Sequence, residues 1–72
     1  GIDPHPDRVQ KSFNDACLQE GKRFLRRYSE LIPKEIQQEA FQCNQIDNML
    51  RLIFSPEVYR YSGHKIYLLI DE

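Results

Sequence analysis

Residues 8–31 carry apolar side chains at helical spacing, and this pattern limits the possible folds more than any other in the sequence. At about 100° per residue, one face holds the apolar residues Val9, Phe13, Ala16, Cys17, Phe24, Tyr28 and Leu31. We therefore predict a helix over 8–31 with that face against the core. Gly21 lies inside this helix, where glycine costs about 1 kcal/mol relative to alanine. It predicts a kink, a break or the close approach of another backbone.

A second apolar stripe runs beside the first. Leu18, Leu25 and Ile32 recur every seven residues and widen the apolar arc of the helix. An arc of this width indicates a helix that is covered on two sides, either by the rest of the domain or by a partner. Tyr28 adds an aromatic side chain of the kind that is enriched at interfaces. These four residues are the predicted protein-binding set, with packing inside the domain as the alternative.

The remainder of the chain predicts two short helices followed by a hairpin. Pro33 suits the first turn of a second helix, and Asn44 suits the N-cap of a third helix over about 45–54. Ser55-Pro56 ends that helix. The β-rich segments 58–61 and 65–70 flank the turn signal Ser62-Gly63. The predicted fold class is therefore mainly α with a C-terminal β-hairpin.

Residues 33–70 resemble a known fold family in this order of elements. Ile36-x-x-x-Ala40, the turn Gln42-Cys43-Asn44, the spine Ile46-x-x-x-Leu50-x-x-Ile53 and a hairpin with Ser62-Gly63 at its tip are similar to the winged-helix variant of the helix-turn-helix. The resemblance implies a three-helix core plus wing, with base-reading side chains on the third helix. Those readers would be Gln45, Asn48 and Arg51. Phosphate contacts would come from Arg60, His64 and Lys65 on the wing.

Length and charge constrain this expectation. The 72 residues allow one domain, which we expect over 8–72, after a flexible segment 1–7 that is partly of expression-vector origin. Ten basic and seven acidic residues lie between Arg8 and Ile70, so the body carries a charge of +3. This is a mildly basic surface, far from the strongly basic one of a dedicated nucleic-acid binder. The alternative for the third helix is a plain solvated face.

The sequence offers little material for catalysis or metal binding. Cys17 and Cys43 form no Cys-x-x-Cys pair, and two distant histidines provide no set of four zinc ligands. The conceivable nucleophile–base pairs are Cys17 or Cys43 with His64, and no glycine-rich phosphate loop is present. We therefore expect no enzyme activity, no cofactor, no metal and no small-molecule substrate. Two reduced cysteines indicate an intracellular protein, in the nucleus or the cytoplasm.

The preferred functional hypothesis is a protein-interaction or oligomerisation module of a larger protein. Its partner would be another protein or a second copy of the chain, and a dimer through the first helix is the simplest form. The alternative is binding of DNA or RNA through the third helix and wing. No apolar run approaches the roughly 18 residues of a membrane span, so no membrane contact is expected.

Overall fold

The computed structural model describes residues 6–71, and within that range the chain forms five α-helices and one 3-10 turn. The elements, in chain order, are α1 (Pro6–Arg27), the 3-10 turn (Ser29–Leu31), α2 (Lys34–Phe41), α3 (Ile46–Ile53), α4 (Pro56–Ser62) and α5 (Lys65–Asp71). The predicted flexible segment 1–7 falls mostly on residues 1–5, which lie outside the described residues. Residues 6 and 7 belong to α1.

The first helix turns a different face to the core from the one predicted. Leu18 and Leu25 are buried, and so is Ile32 beyond the helix end, whereas Val9 and Phe13 are exposed. The helical spacing of the sequence predicted the opposite arrangement. It shows two neighbouring apolar stripes on the first helix but not which of them meets α2 and α3. The stripe that packs inside the domain is the one that repeats every seven residues, formed by Leu18, Leu25 and Ile32.

The first helix also ends earlier than predicted. It runs without interruption through Gly21 and stops at Arg27, and the 3-10 turn takes the place of its predicted last turn. Ile32 is extended, with φ of −127° and ψ of 129°. This conformation follows from Pro33, because a proline disfavours the helical region for the residue before it.

The third helix lies close to its predicted bounds but has an unexpected cap. The side chain of its N-cap residue, Gln45, makes no capping hydrogen bond, although Asp47 Oδ1 accepts from the Asn48 N–H at 3.0 Å within the first turn. Asn14 of α1 provides the cap instead, because its Oδ1 accepts a hydrogen bond from the Ile46 N–H at 2.9 Å, while its Nδ2 donates to the Asn44 carbonyl at 2.9 Å. The prediction of Asn44 as the cap was wrong. A tertiary contact between α1 and α3 satisfies the backbone groups that a local cap satisfies elsewhere.

The predicted C-terminal hairpin is wrong, because residues 56–71 form two helices and residues 6–71 contain no strand. Ser55 begins α4 as an N-cap whose Oγ accepts from the Val58 N–H at 3.4 Å, and Pro56 occupies the first helical turn. Gly63 ends α4 in the left-handed conformation, with φ of 62°. Ser55, which was predicted to end the third helix, and Gly63, which was interpreted as part of a turn, are therefore the two caps of α4.

The burial pattern of this region is helical as well. Val58, Ser62 and Ile66 are buried at intervals of four residues. A strand would have placed Leu68 on the same face as Ile66, but Leu68 is 63% exposed. With the wing replaced by α4 and α5, the winged-helix-like fold class is also wrong.

A single apolar cluster joins all the helices. α3 packs against α1 and α2, whereas α4 packs against α5 and the 3-10 turn. The buried members of the cluster are Leu18, Leu25, Ile32, Ile36, Ala40, Met49, Ile53, Val58 and Ile66. At Gly21 a Cβ would collide with the Met49 sulfur, so the glycine allows α3 to lie close to α1. The close approach predicted at Gly21 therefore comes from a side chain and not from a backbone.

Candidate functional site

An open apolar groove of about 500 Å³ lies between α1 and α3. Its α1 side consists of one helical stripe, formed by Phe13, Ala16, Cys17, Glu20, Gly21 and Phe24. Its α3 side is formed by Ile46, Leu50, Ile53 and Phe54. Of these ten lining residues, one carries a carboxylate, Glu20, and none carries a basic side chain. The groove is thus an apolar surface that the domain leaves open to solvent.

Two of the lining side chains are unusually exposed for their size. Phe13 is 68% exposed and Leu50 is 43% exposed, on opposite sides of the groove. Val9, one turn before Phe13 on the same stripe, is 57% exposed. Single exposed apolar residues are common, but Phe13 and Leu50 border the same groove, which makes it the candidate binding surface.

Aromatic contacts fix one end of the groove. The Phe24 ring lies 4.8 Å from the Tyr28 ring, and the Phe54 ring lies 5.5 Å from the Tyr67 ring. The Tyr67 hydroxyl donates to the Phe54 carbonyl at 3.0 Å and so ties α5 to the end of α3. Phe24 and Phe54 therefore present preorganised side chains, which lowers the entropy cost of binding.

The groove exists because two contacts set the spacing between α1 and α3. Asn14 meets Ile46 near one end, and Gly21 meets Met49 farther along. Residue numbers therefore increase in the same sense along both helices. These contacts hold α3 beside α1, while Phe13 and Leu50 stay accessible.

The predicted protein-binding residues lie inside the fold. Leu18, Leu25 and Ile32 belong to the buried cluster, and Tyr28 is half-buried beside Phe24. Their side chains are used by the domain itself. The accessible apolar stripe is the one that sequence reasoning assigned to the core. Glu20 was the signal that could have identified it, because a carboxylate between Phe13 and Phe24 on one helix face indicates contact with water.

The predicted nucleic-acid contacts are exposed but are not gathered on one element. Gln45, Asn48 and Arg51 lie at the start and on the outer side of α3. Arg60 lies on α4, and His64 and Lys65 lie where α4 passes into α5. α3 and α4 pack mainly against different neighbours. The His64 ring lies 4.6 Å from the Tyr59 ring, and the His64 backbone has a positive φ of 66°.

A second surface hollow lies between the 3-10 turn and α5. It includes Leu31, Leu68 and Leu69, but Arg27, Glu30 and Lys65 also line it. This lining mixes charges of both signs with apolar groups. It is a less uniform surface than the α1–α3 groove, and its exposed Leu68 makes a useful control position.

The groups considered for catalysis make unrelated contacts. Both cysteines are free thiols. Cys17 lines the groove, while the Cys43 thiol donates to the Glu39 carbonyl at 3.6 Å. Burial, and then the negative charges of Glu39 and Asp47, raise the pKa of Cys43 and so suppress its nucleophilic thiolate.

Within 6–71, no three His, Cys, Asp or Glu side chains are grouped so that they could hold a metal ion. None of the helices in that range combines the length and the apolar character required to cross a membrane.

Comparison with known proteins adds no family assignment. No protein-family model, no curated protein and no solved structure matches this chain.

Proposed function

We propose that this domain is a protein-interaction module, and that the α1–α3 groove binds an amphipathic helix of a partner protein. The observation that carries the proposal is the pairing of exposed Phe13 and Leu50 across an apolar groove with fixed walls. Helix-in-groove recognition uses such a surface, with partner side chains at positions i, i+3 or i+4, and i+7 as anchors.

The energetic case rests on the apolar area available for burial. Covering one large apolar side chain contributes about 1.5–3 kcal/mol when it goes from full exposure to full burial. Phe13 and Leu50 begin 68% and 43% exposed, so each supplies part of that amount, and the partner's own anchors add more. This is enough for moderate affinity if the groove does not rearrange, because rigid walls reduce the ordering cost.

The test is a selection from a displayed library of amphipathic helical peptides against the purified chain. We expect enriched peptides to bind the wild-type chain and to lose at least about tenfold in affinity to Leu50→Glu, since about 1.4 kcal/mol corresponds to tenfold. Leu68→Glu is the matched control, because it places the same charge at an equally large exposed leucine outside the groove. Circular dichroism checks that both variants stay folded.

The two cysteines supply a second readout on the unmodified chain. Cys17 lines the groove and Cys43 does not, so a bound peptide should slow alkylation of Cys17 and leave Cys43 unchanged. Peptides that bind Leu50→Glu as well as wild type, or that leave Cys17 unprotected, would show that the groove is not the binding site.

Nucleic-acid binding has less support in this architecture. The six residues that the sequence suggested are split between α3 and the α4–α5 region, and the wing that would have joined them is absent. Asp47 also lies on α3 beside Asn48, where it would repel phosphate.

A further inference from the structure

The charges around the groove indicate which kind of helix would fit it, an inference that rests on the proposed function. Basic residues of α1 are concentrated after Gly21. Lys22, Arg23, Arg26 and Arg27 occur there, and no acidic residue follows Glu20 until Glu30. Before Gly21, acidic and basic residues are mixed. The C-terminal part of α1, from Lys22 to Arg27, is therefore strongly positive.

Two of these arginines lie on the groove side of α1. Arg23 follows the lining residue Glu20 by three positions, and Arg27 follows the lining residue Phe24 by three, so each borders the lined stripe. Lys22 and Arg26 fall on the far side of the helix, where the Arg26 guanidinium lies 5.9 Å from the Phe41 ring. Arg23 therefore borders the groove on α1, and Arg27 lies one turn beyond Phe24, where it also lines the hollow beside α5. We call these two residues the basic rim.

The neighbouring carboxylate does little to neutralise this rim. Arg23 Nη1 lies 3.6 Å from Glu20 Oε1, but the two side chains are 75% and 68% exposed, so water and salt screen the pair. Arg27 forms no ion pair within the described part of the chain, and its guanidinium lies 5.6 Å from the Tyr28 ring. Arg51, exposed on α3 between Leu50 and Phe54, adds a third guanidinium beside the groove, while Asp47 places a carboxylate one turn earlier on α3, toward the Phe13 end.

From this distribution we infer that the partner is an acidic amphipathic helix. Its bulky apolar side chains would fill the groove, and its carboxylates would lie near Arg23, Arg27 and Arg51. Guanidinium groups pair well with carboxylates, and complementary charge raises the association rate and sets orientation. Because these arginines lie near the Phe24 and Phe54 end of the groove, we expect the acidic end of the partner helix to lie there as well.

A second copy of this chain is a poorer occupant on the same grounds. The carboxylate on the groove stripe of α1 is Glu20, which already faces Arg23 of its own helix. The exposed residues Asp7 and Asp15 of α1 occur together with Arg8 and Lys11. A symmetric contact between two copies of α1 would therefore bring the basic rim no concentrated negative charge.

The experiment uses two designed helical peptides of about 18 residues, roughly 27 Å long. Both carry the same leucine and phenylalanine anchors, and their flanking positions are all glutamate in one and all lysine in the other. Fluorescence anisotropy measures binding to the full chain at about 50 mM and about 500 mM salt. We expect the glutamate peptide to bind at least about tenfold tighter at low salt, with most of that advantage lost at high salt.

Charge-reversal variants locate the effect. Arg23→Glu combined with Arg27→Glu should reverse the preference in favour of the lysine peptide. The matched control, Lys22→Glu combined with Arg26→Glu, changes the charge of α1 by the same amount on its far side and should retain the glutamate preference. Loss of the preference in the control as well would overturn the assignment of the rim, because it would show a response to net charge alone.

The remaining outcomes separate this inference from the proposed function. Equal binding of both peptides, lost in Leu50→Glu, would overturn the acidic partner and leave the groove function standing. No binding of either peptide would count against both. Sedimentation velocity that shows a dimer disrupted by Leu50→Glu would make a second copy the occupant. A labelled DNA duplex that binds tighter than the glutamate peptide, and equally well to Leu50→Glu, would identify the basic rim as a phosphate contact. Either result would overturn the inference.

Discussion

Phe13 and Leu25 lie on the same helix and experience opposite environments. Leu25 is fully buried, while Phe13 is 68% exposed. A buried leucine contributes both its transfer free energy and its packing contacts to stability, whereas an exposed phenylalanine contributes little to either. The two residues therefore separate the stabilising role of α1 from its proposed binding role.

Alanine substitutions should reveal this division directly. Leu25→Ala should reduce the free energy of unfolding by about 2–5 kcal/mol, because it removes buried methyl groups and leaves a cavity. Phe13→Ala should change it by no more than about 0.5 kcal/mol, as for other surface sites. Urea unfolding followed by circular dichroism measures both. Losses of equal size would place Phe13 in the core and contradict the structure.

Asn14 is a second residue whose importance is invisible in its own helix. Its side chain bonds to Ile46 and Asn44, thirty and more positions away. Asn14→Ala should cost about 1–2 kcal/mol, as for the loss of a helix cap. Asn48→Ala, which alters an exposed amide on α3, should cost less than about 0.5 kcal/mol. An equal decrease of the thermal unfolding midpoint in the two variants would show that Asn14 does not act as the cap of α3.

Cys43 gives a prediction for pH. Its pKa is raised by burial first, and then by Glu39 and Asp47. In a Cys17→Ser background, the alkylation rate of the folded chain should therefore rise at higher pH than that of the urea-unfolded chain. A raised pKa means that the thiol stabilises the fold below the unfolded pKa, near 9.0, and that this contribution is lost as pH rises through the folded value.

The companion variant Asp47→Asn isolates part of the cause. It removes one negative charge near the thiol, so the alkylation profile of the folded chain should move back toward the unfolded one. Profiles that coincide in the folded and unfolded chains would contradict the raised pKa.

At the scale of elements, the sequence predicted the first three helices and failed beyond them. Helical spacing and Pro33 locate α1, α2 and α3 to within a few residues. Ser55, Pro56 and Gly63 fit either strand boundaries or helix caps, and Val58 to Tyr61 favours strands by composition. A helix of seven residues gains little from propensity alone, so the burial of Val58, Ser62 and Ile66 decides between the two.

The same limit explains why the groove escaped prediction. Both apolar stripes of α1 are visible in the sequence, but their predicted roles were exchanged, because which stripe is covered depends on where α3 packs. That position depends on Gly21 and Met49 and on the Asn14 cap, which are contacts between distant parts of the chain. The glutamate on the exposed stripe was the local hint.

The contact between Gly21 and Met49 yields a prediction about how α1 and α3 pack. Gly21→Ala improves helix propensity by about 1 kcal/mol, but the new Cβ is forced against the fully buried Met49. We expect a net loss of stability in the wild-type chain and a gain in the Met49→Ala background, where the sulfur is absent. A double-mutant cycle by urea unfolding should give a coupling of about 0.5–3 kcal/mol. Additive effects would mean that the two residues are not in steric contact.

At the scale of the whole molecule, two groups of helices share one core. α1, α2 and α3 pack together, and α4 packs with α5 and the 3-10 turn, yet Val58 and Ile66 belong to the same buried cluster as Leu18 and Leu25. The Tyr67 hydroxyl links the groups a second time through the Phe54 carbonyl. Domains of this size commonly unfold in a single step, and a shared core favours that behaviour here.

A destabilising substitution in α5 should therefore lower the stability of α1 as well. Ile66→Ala should cost about 2–5 kcal/mol, since Ile66 is fully buried, while the control Leu68→Ala should leave stability within about 0.5 kcal/mol. Amide hydrogen exchange at Leu18 and Leu25 measures the reach of each change. In a cooperative domain, Ile66→Ala lowers the protection of these α1 amides by the same free energy as it lowers that of α4 and α5. Loss confined to residues 56–71 would mean that α4 and α5 unfold separately, and that the groove on α1 and α3 is stable without them.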